Sequence, residues 1–128
     1  MKNKVFVLLL FIIVAISNVS CQNIDNEYNI TVSDLKEAIK TDSNLVILDV
    51  RTSPELTGQQ GKIEDVINIP LQELEKRISE LEKYKDKNFA VICRSGNRSA
   101  YGTKILLKNG YKAKNVEGGM KAYNKLSN

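Results

Sequence analysis

The chain has 128 residues, 42% hydrophobic and 27% charged, with 7 Gly and 2 Pro; this suffices for one packed domain, not for two, and is far from a disordered composition. Histidine is absent, which excludes Cys–His and Ser–His nucleophile pairs, histidine-based zinc sites and phosphohistidine relays. The two cysteines, Cys21 and Cys93, have no Cys-x-x-Cys spacing, so the chain builds neither a disulfide scaffold nor a zinc knuckle.

Met1-Lys2-Asn3-Lys4 precede an apolar run from Val5 to Ile16, followed by Ser17-Asn18-Val19-Ser20-Cys21. Two lysines ahead of about a dozen apolar residues is the layout of a secretory signal peptide, too short to span a bilayer. A small residue directly before Cys21 resembles a bacterial lipobox, which implies cleavage before Cys21 and diacylation of that cysteine. Asn18 stands where the lipobox has Leu or a similar apolar residue. Ala15-Ile16-Ser17 leaves ordinary cleavage after Ser17 as an alternative, and an uncleaved anchor is a third. The expected organisation is a signal peptide over 1–20 (or cleaved near 17), a polar tether over 21–28 and one domain over 29–128. The domain is expected to be exported to the periplasm or cell envelope and held on a bacterial membrane through lipid on Cys21. Loss of Lys2 and Lys4 takes the formal charge from +4 to +2, with 17 basic and 15 acidic residues left. No aromatic-interleaved basic stripe remains, which speaks against nucleic-acid binding.

From Asn29 the chain alternates strand-like and helix-like segments. Asn29-Ile30-Thr31-Val32 predicts a brief strand, and Ser33 or Asp34 a cap for a helix through Leu35 to Ile39. Leu45–Val50 is a continuous apolar run broken only by Asp49, as in a strand buried on both faces. Ser53-Pro54-Glu55-Leu56 predicts a first helical turn, and 58–61 a loop. Val66–Ile69 is a short strand ended by Pro70. Leu71, Leu74, Ile78 and Leu81 then predict one amphipathic helix whose charged side is a solvated face. Phe89–Cys93 is a third buried strand, Ser99–Leu107 a helix stopped by Asn109-Gly110, Ala113–Val116 a last strand and Met120–Leu126 a last helix. The pattern predicts an α/β fold: a three-layer domain with a mostly parallel sheet and helices on both faces.

In such sheets ligands sit at the carboxyl ends of the strands, and here that address reads Cys93-Arg94-Ser95-Gly96-Asn97-Arg98-Ser99. A cysteine closing a buried strand, followed by a short loop and a helix starting near Arg98 or Ser99, places inward-pointing N–H groups, a helix N-terminus and two guanidiniums around one sulfur. All three favour a thiolate, so Cys93 is expected to be nucleophilic without a histidine base. Taken without this loop, a cysteine at a strand end is more often a small buried hydrophobe. The amides and arginines suit a small tetrahedral oxyanion. Asp49 and Arg51 are expected to be structural supports of the loop, paired with loop backbone, with each other or with Glu55. Arg98 has two readings, one on the substrate and one on a strand-end carboxylate such as Asp49. Arg94 is expected at the pocket mouth.

These residues carry a resemblance. The Cys93–Ser99 loop, Leu48-Asp49-Val50-Arg51, Ile67-Asn68-Ile69-Pro70-Leu71 and Val116-Glu117-Gly118-Gly119-Met120 occur in the order seen in single-domain rhodaneses, and the likeness runs from Ile30 to Tyr123. The resemblance implies a thiosulfate sulfurtransferase-like enzyme. Its catalytic residue would be Cys93, and Arg94, Ser95, Gly96, Asn97, Arg98 and Ser99 would form the substrate-binding loop. It further implies a small sulfur-containing anion such as thiosulfate as donor. A thiol, cyanide or a protein would be the acceptor, with a persulfide on Cys93 between them and no metal or organic cofactor. Lys62 replaces the family's usual His and Tyr123 its frequent Trp. Three alternatives stand beside this: a phosphatase or arsenate reductase on the same scaffold, a non-catalytic sulfur-binding or interaction module, and a redox protein pairing Cys93 with Cys21. Rhodanese-like phosphatases carry a loop one residue longer than the Cys93–Arg98 span.

Overall fold

Two strands, β2 (Leu45–Asp49) and β4 (Asn88–Ile92), lie side by side at the centre of the computed structural model, which describes residues 27–127. Around them β1 (Asn29–Ile30), β3 (Ile67–Asn68) and β5 (Lys112–Val116) complete one sheet in the order β1-β5-β4-β2-β3, every pair parallel. The helices are α1 (Val32–Thr41), α2 (Ser53–Leu56), α3 (Leu71–Arg77) running into a 3₁₀ segment (Ile78–Tyr84), α4 (Asn97–Lys108) and α5 (Gly119–Lys125). This is the expected α/β architecture, with a parallel sheet and helices on both faces.

Alternate side chains of the central strands enter different cores, which explains why β2 and β4 read as unbroken apolar runs. Leu48, Phe89 and Val91 pack with Leu74, Leu81, Leu106 and Tyr111 on the side of α3 and α4. Ile47, Ala90 and Ile92 pack with Val32, Leu35, Val116 and Met120 on the side of α1 and α5. Phe89 and Tyr111 meet edge to face, centroids 5.6 Å apart. Full burial of one such aliphatic side chain contributes about 1.5–3 kcal/mol.

Several boundaries differ from the sequence reading by a residue or two, α4 among them, which starts at Asn97 and not at Arg98 or Ser99; three have a clear physical cause. Thr31 is a helix cap, not part of a strand: its Oγ1 accepts from the Asp34 N–H at 3.1 Å and donates to the Asp34 carboxylate at 2.8 Å. The helix therefore starts at Val32, which with Leu35 faces the core, and Ser33 and Asp34 lie inside its first turn. The amphipathic segment from Leu71 is not one α-helix, because Ile78, Leu81 and Tyr84 recur every three residues, the repeat of a 3₁₀ helix, and turn inward together. β3 pairs over Ile67 and Asn68 alone; Pro70, which follows, has no N–H to extend the ladder.

Candidate active site

The register of β2 and β4 sets Asp49 beside Ile92, so the chain leaves both strands at the same edge of the sheet. Cys93 follows β4 there, 1% exposed. The loop then turns sharply through Gly96, whose φ of 102° lies in the left-handed region that a side chain resists, and α4 begins at Asn97. That turn aims the Gly96 N–H at the Cys93 Sγ, 3.1 Å away, and the first turn of α4 brings the Ser99 hydroxyl to within 3.3 Å of the same sulfur. Burial pushes the Cys93 thiol up. The Ser99 hydroxyl and the backbone N–H groups of Ser99, Gly96 and Ser95 outweigh it and leave the thiol below its ordinary value.

The loop rests on a second glycine turn. Gly119 has a φ of 57°, and a Cβ there would stand 2.4 Å from the Cys93 carbonyl oxygen. Its lack of a side chain lets α5 close on the loop, where Met120 N–H donates to the Cys93 carbonyl at 2.8 Å and Lys121 N–H to the Arg94 carbonyl at 3.1 Å. The Gly118-Gly119 pair noted in the sequence thus holds the Cys93 loop from behind.

On the β2 side Asp49 and Arg51 are fully buried and bonded to each other, the closest approach 2.7 Å. Arg51 also donates to the Gly61 carbonyl at 2.8 Å and the Glu55 carbonyl at 3.4 Å, which ties the 58–61 loop to the end of β2. A buried pair of this kind is weak as net stabilisation, but losing one member costs about 3–5 kcal/mol because a buried charge is left alone. Arg98 does not reach for Asp49: its guanidinium is bidentate on Glu55, at 2.7 and 2.8 Å. Those bonds to Arg98 hold the Glu55 carboxyl at about 2, against a smaller upward push from burial and with help from Thr52. Thr52 and Glu55 also form a capping box on α2.

Of the other loop residues, Arg94, Ser95 and Asn97 are exposed. Arg94 borders a cavity of about 150 Å³ together with Arg51, Glu55, Gly58, Gln59 and Gln60, a lining rich in guanidinium and amide donors. Ser99 sits apart from that mouth, fully buried on the inner side of the sulfur. Lys62 is exposed, and Tyr123 is half-buried with the Lys36 ammonium 4.5 Å from its ring centre.

Three contributors were not legible in the sequence. Asn68 donates its amide to the carbonyls of Asp49 (2.9 Å) and Arg51 (2.8 Å), completing the end of β2. Asn115 on β5 meets the Ser99 hydroxyl at 2.6 Å. Glu55 holds Arg98 from 43 positions away. The only local signals were an asparagine just before Pro70's turn, an asparagine inside a strand, and the Thr52-x-x-Glu55 spacing. The expected signal segment, the expected tether up to Asn26 and Cys21 lie outside the described residues. Among the described residues no group of acidic or cysteine side chains could hold a metal ion, and no helix is long and apolar enough to cross a membrane.

Fold and site together define a single α/β domain with one buried cysteine cradled at the carboxyl edge of a parallel sheet. The chain belongs to the rhodanese-like domain family, whose sequence profile matches residues 31–126. It is 38% identical over 94 residues to YtwF of Bacillus subtilis, covering 73% of this chain and 87% of that protein. To a protein of Allochromatium vinosum named sulfurtransferase it is 31% identical over 90 residues, 70% of this chain and 80% of the other. Among solved structures, a rhodanese-related protein of Thermoplasma volcanium is similar at 39% identity and a TM-score of 0.69, covering 77% of this chain and 92% of that one.

Proposed function

We propose that the protein is a sulfurtransferase that moves sulfane sulfur from thiosulfate or a similar donor to a thiophilic acceptor through a persulfide on Cys93. The observation that carries this is the Cys93 sulfur itself, met by the Gly96 N–H and the Ser99 hydroxyl, with no titratable base bonded to it among the described residues. The thiolate attacks the outer sulfur of thiosulfate; a new S–S bond forms as the old one breaks, and sulfite leaves with the electron pair. An acceptor, whether cyanide, a thiol or a protein thiolate, then attacks the terminal sulfur and Cys93 departs as thiolate. Atoms and electrons balance over the two displacements with no outside oxidant, reductant or cofactor. The donors that favour the thiolate also favour the persulfide anion that replaces it. Arg94, exposed beside the donor-lined cavity, would meet the sulfite oxygens, since Arg98 is engaged by Glu55. The wider organisation belongs to the same proposal: export by the 1–20 segment, lipid on Cys21 and a tether on a bacterial membrane. It is supported by the Lys2/Lys4-apolar-Ser20-Cys21 pattern, and lipid labelling lost in Cys21→Ser would test it.

The experiment is the intact mass of the full chain in detergent, reduced, desalted and exposed to thiosulfate. The expected result is a gain of one sulfur atom at Cys93, removed by cyanide and absent in Cys93→Ser. A chain that gains no sulfur from thiosulfate yet hydrolyses a phosphate ester would overturn it in favour of phosphatase chemistry on the same scaffold.

A further inference from the structure

Ser99 has one hydroxyl hydrogen and two neighbours that claim it. Its Oγ stands 2.6 Å from Asn115 Oδ1 and 3.3 Å from Cys93 Sγ. Two oxygens at the shorter distance repel unless a hydrogen lies between them. With Asn115 in this orientation the Ser99 hydrogen is therefore engaged by Asn115, and Ser99 turns a lone pair to the sulfur. That suits a thiol, whose S–H can donate to Oγ. It does not suit an anionic sulfur, which needs a donor.

Asn115 can resolve the conflict. A half-turn of its amide exchanges Oδ1 for Nδ2 with almost no change of shape. Nδ2 then donates to Ser99 Oγ, and the serine hydrogen is free to turn to Cys93. At its far end Asn115 Nδ2 donates to Asn29 Oδ1 at 3.1 Å. After the half-turn it presents Oδ1 there, toward the half-buried Asn29 at the edge of the sheet, where water can donate to it. The line Asn115–Ser99–Cys93 thus has two hydrogen-bond orders of opposite sense. One matches a neutral sulfur and the other a charged one. Ser99 and Cys93 are both buried, so water offers little help in covering a mismatch between the serine and the sulfur.

We propose that Asn115 is a positioning residue: by choosing which end of its amide faces Ser99, it decides whether the serine hydrogen goes to Asn115 or to the Cys93 sulfur. The residue touches neither substrate nor the reacting atom and acts through Ser99. The proposal rests on Cys93 being the reacting thiol.

The test reads ionisation of Cys93 without sulfur transfer: the pH dependence of its alkylation by iodoacetamide in the full chain, quantified on the Cys93 peptide so that Cys21 does not enter. The charged residues on the elements around the sulfur (Asp49, Arg51, Glu55, Arg94, Arg98, Glu117 and Lys121) stay unchanged in every variant. Ser99→Ala is expected to raise the half-point by about 1 pH unit, the loss of one donor to a charged acceptor. Asn115→Asp can only accept and so locks the serine hydrogen away from sulfur. It raises the half-point in the native background and by clearly less in Ser99→Ala, where only its charge still acts. Asn115→Leu leaves Ser99 no partner but the sulfur, and does not raise the half-point. An equal shift from Asn115→Asp in both backgrounds would overturn the proposal, and so would a rise in Asn115→Leu as large as in Ser99→Ala. Should Ser99→Ala fail to fold, the opposite behaviour of the Asp and Leu variants decides alone. A failed thiosulfate adduct leaves these half-points untouched, so sulfur transfer and the amide switch fail separately.

Discussion

Glu55→Gln removes the charge that holds Arg98 while keeping the shape of the side chain, and its effect can be worked from the pair's geometry. The carboxyl falls from an ordinary 4.5 to about 2, chiefly because Arg98 donates two hydrogen bonds to it. Taken at face value that shift is worth about 3 kcal/mol at neutral pH. The two side chains are 32% and 31% exposed, so solvent screens the pair and about 1–2 kcal/mol is the reasonable expectation. The sign follows from the direction of the shift. A carboxyl held low in the folded chain stabilises it fully above the unfolded value of 4.5, and that stabilisation is lost as pH falls through about 2.

The assay is urea unfolding of the native chain and the variant at several pH values between about 7 and 3. The gap between them should be about 1–2 kcal/mol at the upper end and shrink to about a fifth of that or less by the lower end. Other carboxylates titrate in both proteins and cancel in the difference. A gap that stays constant across this range would refute the charge argument and assign the loss to the Thr52–Glu55 capping box instead. If Arg98 positions the loop through Glu55, Arg98→Ala and Glu55→Gln should also cost no more together than the larger of the two alone.

Two further substitutions probe the frame behind the sulfur. Gly119→Ala places a methyl 2.4 Å from the Cys93 carbonyl at a φ of 57°, so α5 or the loop must shift; a loss of about 2–4 kcal/mol is expected, read by thermal melting, together with loss of sulfur loading from thiosulfate. An unchanged melting temperature would show that α5 does not brace the loop. Asn68→Ala strips the amide donors from the Asp49 and Arg51 carbonyls, which should cost about 2 kcal/mol in urea unfolding, whereas a neutral result would mean that water replaces the amide there.

Much of the frame could be read from the sequence because its signals are local. The central strands are apolar without alternation since α3 and α4 cover one face and α1 and α5 the other. The Cys93 loop was equally visible, because a cysteine, a glycine and a helix start within a few residues fix where backbone N–H groups can point. What escaped was set by strand order. Asn115 is 16 positions beyond Ser99, and only the placement of β5 next to β4 brings its amide to the serine. Glu55 and Arg98 meet because β2 and β4 are neighbours, which no spacing along the chain reveals. The start of α1 was missed for a different reason. Thr31 has extended dihedrals and continues the direction of β1, so a β-branched pair, Thr31-Val32, gives the strand signal although the first residue caps and the second already turns.

The missing histidine becomes intelligible from the same geometry. A base near a cysteine removes a proton; here the Cys93 thiol is held low by donors instead, and in the proposed cycle they would stay with the sulfur throughout. The Gly96 N–H and the Ser99 hydroxyl meet Sγ before any sulfur is gained. In the proposed cycle the sulfur is anionic at both ends of each displacement, as thiolate and as persulfide, and no proton has to move between them. A general base would have a task only at first ionisation, whereas fixed N–H donors act at every stage without reorganising. Demand for a proton is thus replaced by demand for hydrogen-bond donors. The one donor that can be withdrawn is the serine hydroxyl, and Asn115 holds it.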